Sequence, residues 1–294
     1  MNRRNFASAI AGAALGAAAL PSIPALAASE VDVPFTLSVM LWTVYQQLPF
    51  EQRLEKIGEA GYHAVELVNE FKQWSDDDFR RANAKKRSLG IIFDSTAGVW
   101  KGIADPAGRD AFLTDLKNFF PVAAKLECPT IIVFSGNRVE GVSHEAHHNA
   151  CIEALKSAAD MAAKQNVTLL LENIDQEENP KYYLTSVAEG FEIIRKVDHP
   201  HVKFLYDFYH EQVSEGNLIE KLEKNIDQVG LVHIADVPGR HQPGTGEINY
   251  ASIFRKLAEL KYGRYAAMEF MPVGDPIATL RAAHEQVAQA LIAR

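Results

Sequence analysis

Eight times along this chain a short β-rich run gives way to a longer amphipathic stretch, and that alternation limits the possible folds more than any other feature. The first run spans Thr36 to Val44 and leads into a helical period from Phe50 to Ala60, which Gly61 terminates. The pattern then repeats: Ala64 to Val68 with Asp76 to Leu89, and, after Gly90, Ile91 to Ser95 with Arg109 to Leu126. Thr130 to Phe134 precedes His144 to Gln165, and Val167 to Asn173 precedes Ser186 to Lys196. Val202 to Asp207 with Leu218 to Gln228, Leu231 to Asp236 with Tyr250 to Leu260, and Tyr265 to Phe270 with Pro276 to Ile292 complete the set. Runs such as Ile131-Ile132-Val133 and Leu169-Leu170-Leu171 are apolar without interruption, as parallel strands covered on both faces are.

Strands alternating with helices specify an α/β fold with a parallel sheet. Eight such units in roughly 250 residues match a single (β/α)8 TIM barrel. An open doubly wound sheet competes, but no G-x-G-x-x-G follows the first strand. Neither a low-complexity linker nor a charge run divides the chain, so one barrel domain is expected from residue 28 to 294. Residues 1–27 differ in kind: Arg3-Arg4 precedes an Ala/Gly-rich apolar stretch from Ala7 to Leu20, then Pro21, Pro24 and an Ala25-Leu26-Ala27 cleavage pattern. That layout is a signal peptide, and the paired arginines resemble the twin-arginine type. The apolar stretch is shorter than the roughly 20 residues that span a bilayer. A periplasmic or exported protein, off the membrane once the signal is removed, is therefore expected.

The net charge of −8 lacks the basic footprint of a nucleic-acid binder. Two cysteines, Cys128 and Cys151, form no C-x-x-C pattern and read as separate packed thiols.

In a TIM barrel the chemistry sits where strands end. Glu172 ends one apolar run, Asp207 ends the next, His233 follows Leu231-Val232, and Glu269 follows Ala266-Ala267-Met268. The gaps between them, 35, 26 and 36 residues, each equal about one strand-helix unit. A lone carboxylate at a strand end is usually a cap or an ion pair, and a lone histidine a core residue. Four at matching positions of consecutive strands converge on one point instead. Three carboxylates that close repel one another unless a cation joins them. Mixed carboxylate and imidazole donors suit Mn²⁺, Mg²⁺ or Co²⁺, and Zn²⁺ is also compatible.

The stretch Ile234 to Tyr250, and most specifically Arg240 to Tyr250, closely resembles a signature of hydroxypyruvate isomerases; Tyr206 to Gln212 resembles a second segment of that family. The Leu171 to Ile174 region and the Glu269 strand agree in order and spacing, so the resemblance covers most of the mature chain. The family belongs to the xylose-isomerase-like TIM barrels, with the ketose 3-epimerases and endonuclease IV. It implies that Glu172, Asp207, His233 and Glu269 hold the metal and that Glu172 and Glu269 are also the acid/base pair. It further implies that His210, Arg240 and Glu66 bind substrate, and, by likeness to the epimerases, Glu178 as well. The substrate implied is a small sugar or hydroxy-keto acid, and a homo-oligomer is compatible. The leading reading is a metal-dependent aldose-ketose or hydroxypyruvate-type isomerase working through an enediolate. A ketose 3-epimerase is the runner-up, favoured by His233, which stands where hydroxypyruvate isomerases carry Gln, and by Glu178, while Asp175 to Asn179 lacks the isomerases' basic residue and leaves an acidic rim suited to a neutral sugar. A lyase or hydrolase of keto-glycosides is a third enzymatic reading, and a sugar-binding protein a non-enzymatic one. Trp42, Trp74 and Trp100 after the first three strands read as rim packing or as stacking faces for a sugar.

Overall fold

The computed structural model describes residues 33–292; the expected signal segment lies outside them. Eight parallel strands close into a barrel in sequence order: β1 Thr36–Met40, β2 Ala64–Leu67, β3 Ile92–Ala97, β4 Thr130–Phe134, β5 Thr168–Glu172, β6 Val202–Asp207, β7 Val229–Ile234 and β8 Tyr265–Met268, with β8 pairing back on β1. The expected (β/α)8 TIM barrel is therefore the observed fold. Among the described residues nine helices surround it: α1 Phe50–Glu59, α2 Asp76–Ser88, α3 Arg109–Leu126, α4 His144–Lys164, α5 Val187–Val197, α6 Phe208–Ser214, α7 Leu218–Asn225, α8 Tyr250–Glu259 and α9 Pro276–Ile292. Among the described residues, no helix is long and apolar enough to cross a membrane.

Local chemistry sets the boundaries. Ser75 and Asp78 form a reciprocal capping box at the start of α2, whose first turn is acidic and whose last turn is basic. Ser143 and Ser186 cap α4 and α5 through their hydroxyls. The short helix α6 was not expected from the sequence. It starts at Asp207, whose Oδ1 accepts the His210 N–H at 3.0 Å, so a residue that ends a strand also opens a helix.

Alternation along each strand divides the side chains between two environments. Val39, Val65, Phe93, Ile131, Leu169, Phe204 and Val232 face outward and bury against the helices. Met40, Ala97, Ile132, Leu170, Leu205, Leu231 and Ala267 fill the barrel interior. This apolar plug closes the barrel, so polar chemistry is confined to layers above and below it. Cys128 and Cys151 are buried and unpaired, as expected.

Candidate active site

Parallel register brings the strand-end residues together. Phe134 stands beside Glu172, and Asp207 beside His233, while Glu269 follows directly on β8. Glu172, Asp207, His233 and Glu269 each offer a donor atom within 4.8 Å of the others, and all four are buried. His233 Nδ1 lies 2.6 Å from Glu269 Oε2, 3.4 Å from Glu172 Oε1 and 3.7 Å from Asp207 Oδ2. Despite this crowding, Asp207 Oδ2, His233 Nδ1 and Glu269 Oε2 make no aligned hydrogen bond. Buried polar atoms are normally satisfied. Three unsatisfied atoms aimed at one point, drawn from carboxylate and imidazole, fit a divalent cation, the ligand set expected from the sequence.

The charges confirm the tension. Burial raises the Glu172 carboxyl above its ordinary range, against the pull of His233. Burial also acts on Asp207, but His210, His233 and Arg240 outweigh it and hold that carboxyl low. Glu269 is likewise lowered, burial being overcome by Arg240 and His233. Burial opposes a charged His233, yet the surrounding carboxylates raise it well above an ordinary histidine.

Directly behind His233 lies Glu66. Its carboxylate is fully buried and accepts the Nε2–H of His233 at 2.9 Å, and it also accepts the Ser95 hydroxyl. Glu66, expected from the resemblance to bind substrate, is placed behind the imidazole, which stands between it and the cluster. Glu66 holds the Nε2 edge of the ring and so leaves Nδ1 facing the other three side chains of the cluster. Asp94 lies in the same buried layer, where Ser38 donates to its Oδ1 at 2.7 Å. Burial and the charge of Glu66 hold the Asp94 carboxyl well above the usual range. Nothing in the sequence reading singled out Asp94, although Asp94-Ser95-Thr96 is a polar run inside an otherwise apolar strand.

His210 does reach the cluster. Its Nδ1–H donates to Asp175 Oδ2 at 2.6 Å and its Nε2 lies 3.5 Å from Asp207 Oδ2. Burial disfavours the charged imidazole, but Asp207 and Asp175 prevail and raise it to about 9. Asp175 is therefore a buried partner of His210, and the exposed acidic rim expected at residues 175–179 is partly internal. Glu178, expected from the likeness to the epimerases to bind substrate, lies against Arg240. Both its oxygens accept from Arg240 Nη1, at 2.8 and 2.7 Å, so it steadies the arginine. Arg240 Nη2 reaches Glu269 Oε2 at 2.9 Å, and the guanidinium covers the Tyr209 ring at 5.1 Å.

One carboxylate shapes the loop that carries Arg240. Asp236 Oδ1 accepts the N–H groups of Val237 and Ile248 at 2.9 and 3.0 Å, and Oδ2 those of Gly244 and Gly246 at 2.9 and 2.8 Å. Gly246 has to lack a side chain, since a Cβ there would meet the Val237 carbonyl at 2.0 Å. Arg240 itself adopts a left-handed backbone, φ 56°. The stretch most specific in the sequence is thus a self-bonded turn that aims a guanidinium at Glu269.

A profile of the xylose isomerase-like TIM barrel family matches residues 54–290. The chain belongs to that family. It is 30% identical to the 2-oxo-tetronate isomerase of Haemophilus influenzae over 246 residues, which are 82% of this chain and 95% of that one. It is 29% identical to the hydroxypyruvate isomerase of Escherichia coli over 249 residues, 83% of this chain and 96% of that one. Within the xylose isomerase-like barrels it is thus an enzyme of the hydroxypyruvate isomerase family. Among solved structures, AP endonuclease, family 2 from Brucella melitensis superposes with a TM-score of 0.74 at 26% identity, covering 84% of this chain and 96% of that one. The D-psicose 3-epimerase of Clostridium cellulolyticum H10 superposes at 0.70 with 18% identity, over 87% and 95% of the two chains, a likeness of fold alone.

Of the tryptophans, Trp74 packs edge-on against Phe50, Phe71 and Phe79, as rim packing predicts. Trp42 is half-buried over the barrel plug. Trp100 is half exposed and stacks on Phe134.

Proposed function

We propose that the protein interconverts a 2-oxo acid bearing a neighbouring hydroxyl with its isomer, by proton transfer between Glu172 and Glu269. The observation that carries this reading is the tetrad itself: two glutamates, from β5 and the end of β8, flank Asp207 and His233, and all four donors face one point. A divalent cation held by Glu172, Asp207, His233 and Glu269 would supply Lewis acidity to the carbonyl and hydroxyl oxygens. One glutamate takes the proton from the hydroxyl-bearing carbon, giving an enediolate. The other returns a proton to the former carbonyl carbon while the hydroxyl proton passes to the former carbonyl oxygen, so atoms and charge balance. Arg240, aimed at Glu269 and already pairing with carboxylates, suits the acid group of such a substrate. The names of the relatives in Haemophilus influenzae and Escherichia coli support the same substrate class.

His233 favours a second reading, ketose 3-epimerisation, in which the proton returns to the carbon it left. Deuterium exchange in ²H₂O with added Mn²⁺ tests both. Label acquired by hydroxypyruvate or 2-oxo-tetronate, with the isomer as product, supports the isomerase. Label in a ketose with inversion and no aldose supports the epimerase. Exchange into none of them, or exchange that persists with chelator, would refute metal-dependent enediolate chemistry. We also read residues 1–27 as an export signal; a mature N-terminus near residue 28 on the protein recovered from the periplasm checks it.

A further inference from the structure

Beside the tetrad, over the ends of β3, β4 and β5, lies a groove of about 860 Å³ lined by Trp100, Lys101, Phe134, Arg138, Ile174 and Tyr182, among others. Pockets of this size receive ligands well beyond three or four carbons. The groove is joined to the site through Phe134, which pairs in register with Glu172. Tyr182 makes a second link: its hydroxyl donates to the Glu172 carbonyl at 3.2 Å and accepts the Ser135 N–H at 3.0 Å.

The lining is built and rigid. Trp100 stacks on Phe134 with the ring planes nearly parallel, 10° apart, and centroids at 5.7 Å. Asp115 Oδ2 accepts the backbone N–H groups of both Trp100 and Lys101, at 2.9 and 3.2 Å, which fixes the platform. The two loops that form the floor touch, since a Cβ on Gly102 would meet Gly136 Cα at 2.6 Å.

Its charge is opposite to that of the chain. Among the described residues, Lys101 and Arg138 have no carboxylate within salt-bridge distance. Arg138 uses Nε on the Tyr182 carbonyl at 3.3 Å, and Lys72 sits over the Trp100 ring at 5.4 Å. Asp105 is the acid in the lining, and its Oδ1 is taken by the Ala107 N–H. Unpaired cations beside an aromatic face, in a chain of net charge −8, mark a place for an anion attached to a ring.

We propose that this groove is a second subsite that receives the far, anionic end of a substrate longer than the short keto acids, a sugar unit carrying a carboxylate or phosphate. The inference rests on the isomerase reading for the reacting end, but its binding test does not. Calorimetric titration of the full chain with glucose, glucuronate and glucose 6-phosphate reads the subsite directly. At least one anionic probe binds tenfold or more tighter than glucose, and that advantage is lost in Lys101→Ala/Arg138→Ala and weakened in Trp100→Ala, with circular dichroism unchanged. Preference for glucuronate assigns a carboxylate, and preference for glucose 6-phosphate a phosphate. Equal binding of glucose and the anions, or an anion preference that survives the double variant, overturns the proposal. Failure of deuterium exchange into hydroxypyruvate would sink the isomerase reading and leave the titration result standing.

Discussion

Strands β5 to β8 and strands β1 to β4 close the same barrel and share the same apolar plug, yet they end differently. The first group ends in, or directly beside, Glu172, Asp207, His233 and Glu269; the second ends in Met40, Leu67, Ala97 and Phe134. A single cation needs its donors within a few ångströms of one another, so ligands on one contiguous arc reach it and ligands spread around the rim would not. The other arc supplies walls: Trp100 and Phe134 line a groove with unpaired cations, and Trp42 packs on the barrel plug. On the reading proposed above, proton transfer falls to one half and the far end of the substrate to the other.

The contrast fails most visibly if the ligand half proves dispensable. Glu269→Gln keeps the shape of the side chain but cannot take a proton. Turnover is expected to fall on the order of 10²- to 10⁴-fold with the thermal transition retained, and undiminished turnover would remove Glu269 from the chemistry. Glu66→Gln sharpens the boundary, since Glu66 belongs to β2 in the receiving half yet reaches across to His233. Loss of its charge is expected to weaken Mn²⁺ binding about 10- to 100-fold by titration, with activity recovered at high Mn²⁺. An unchanged affinity would leave Glu66 a packing residue. Tyr182→Phe cuts the bond between the halves, deleting a buried hydroxyl that serves Ser135 and Glu172. Urea unfolding is expected to show a loss of about 1–3 kcal/mol.

The smallest effect concerns pH. Burial pushes the Glu211 carboxyl on α6 up to about 7, against its ion pair with Lys221. A carboxyl whose folded value is raised contributes stability that is complete below its unfolded value, near 4.5, and is lost as pH rises toward 7. Glu211→Gln should flatten the decline of stability over that window, measured by chemical unfolding at a series of pH values; an identical slope would discount the buried acid.

The barrel was legible because strand and helix periods alternate cleanly and each strand carries its own apolar signal. The tetrad was legible for the same reason: one ionisable residue at the end of each of four strands leaves a spacing that can be counted. What spacing does not convey is which polar group lies behind another. Glu66 and Glu178 bear the same charge as the ligands and lie near strand ends, but one is covered by an imidazole and the other is held by a guanidinium. Asp175 read as a solvated loop acid because its partner, His210, is 35 residues away. Helix α6 was hidden because seven residues are too few to show a period, and because its cap, Asp207, already served as the end of a strand.

The Asp236 carboxylate collects four backbone N–H groups from a loop that returns past it three times. Such a loop keeps its conformation independently of most of its side chains. Asp236, which collects those bonds, and Gly246, where no Cβ fits, are then the positions least able to change in the course of divergence. A transplant of residues 236–248 into a related barrel should therefore carry the arginine's position with it as a unit, and with it the contact proposed above to the substrate's acid group.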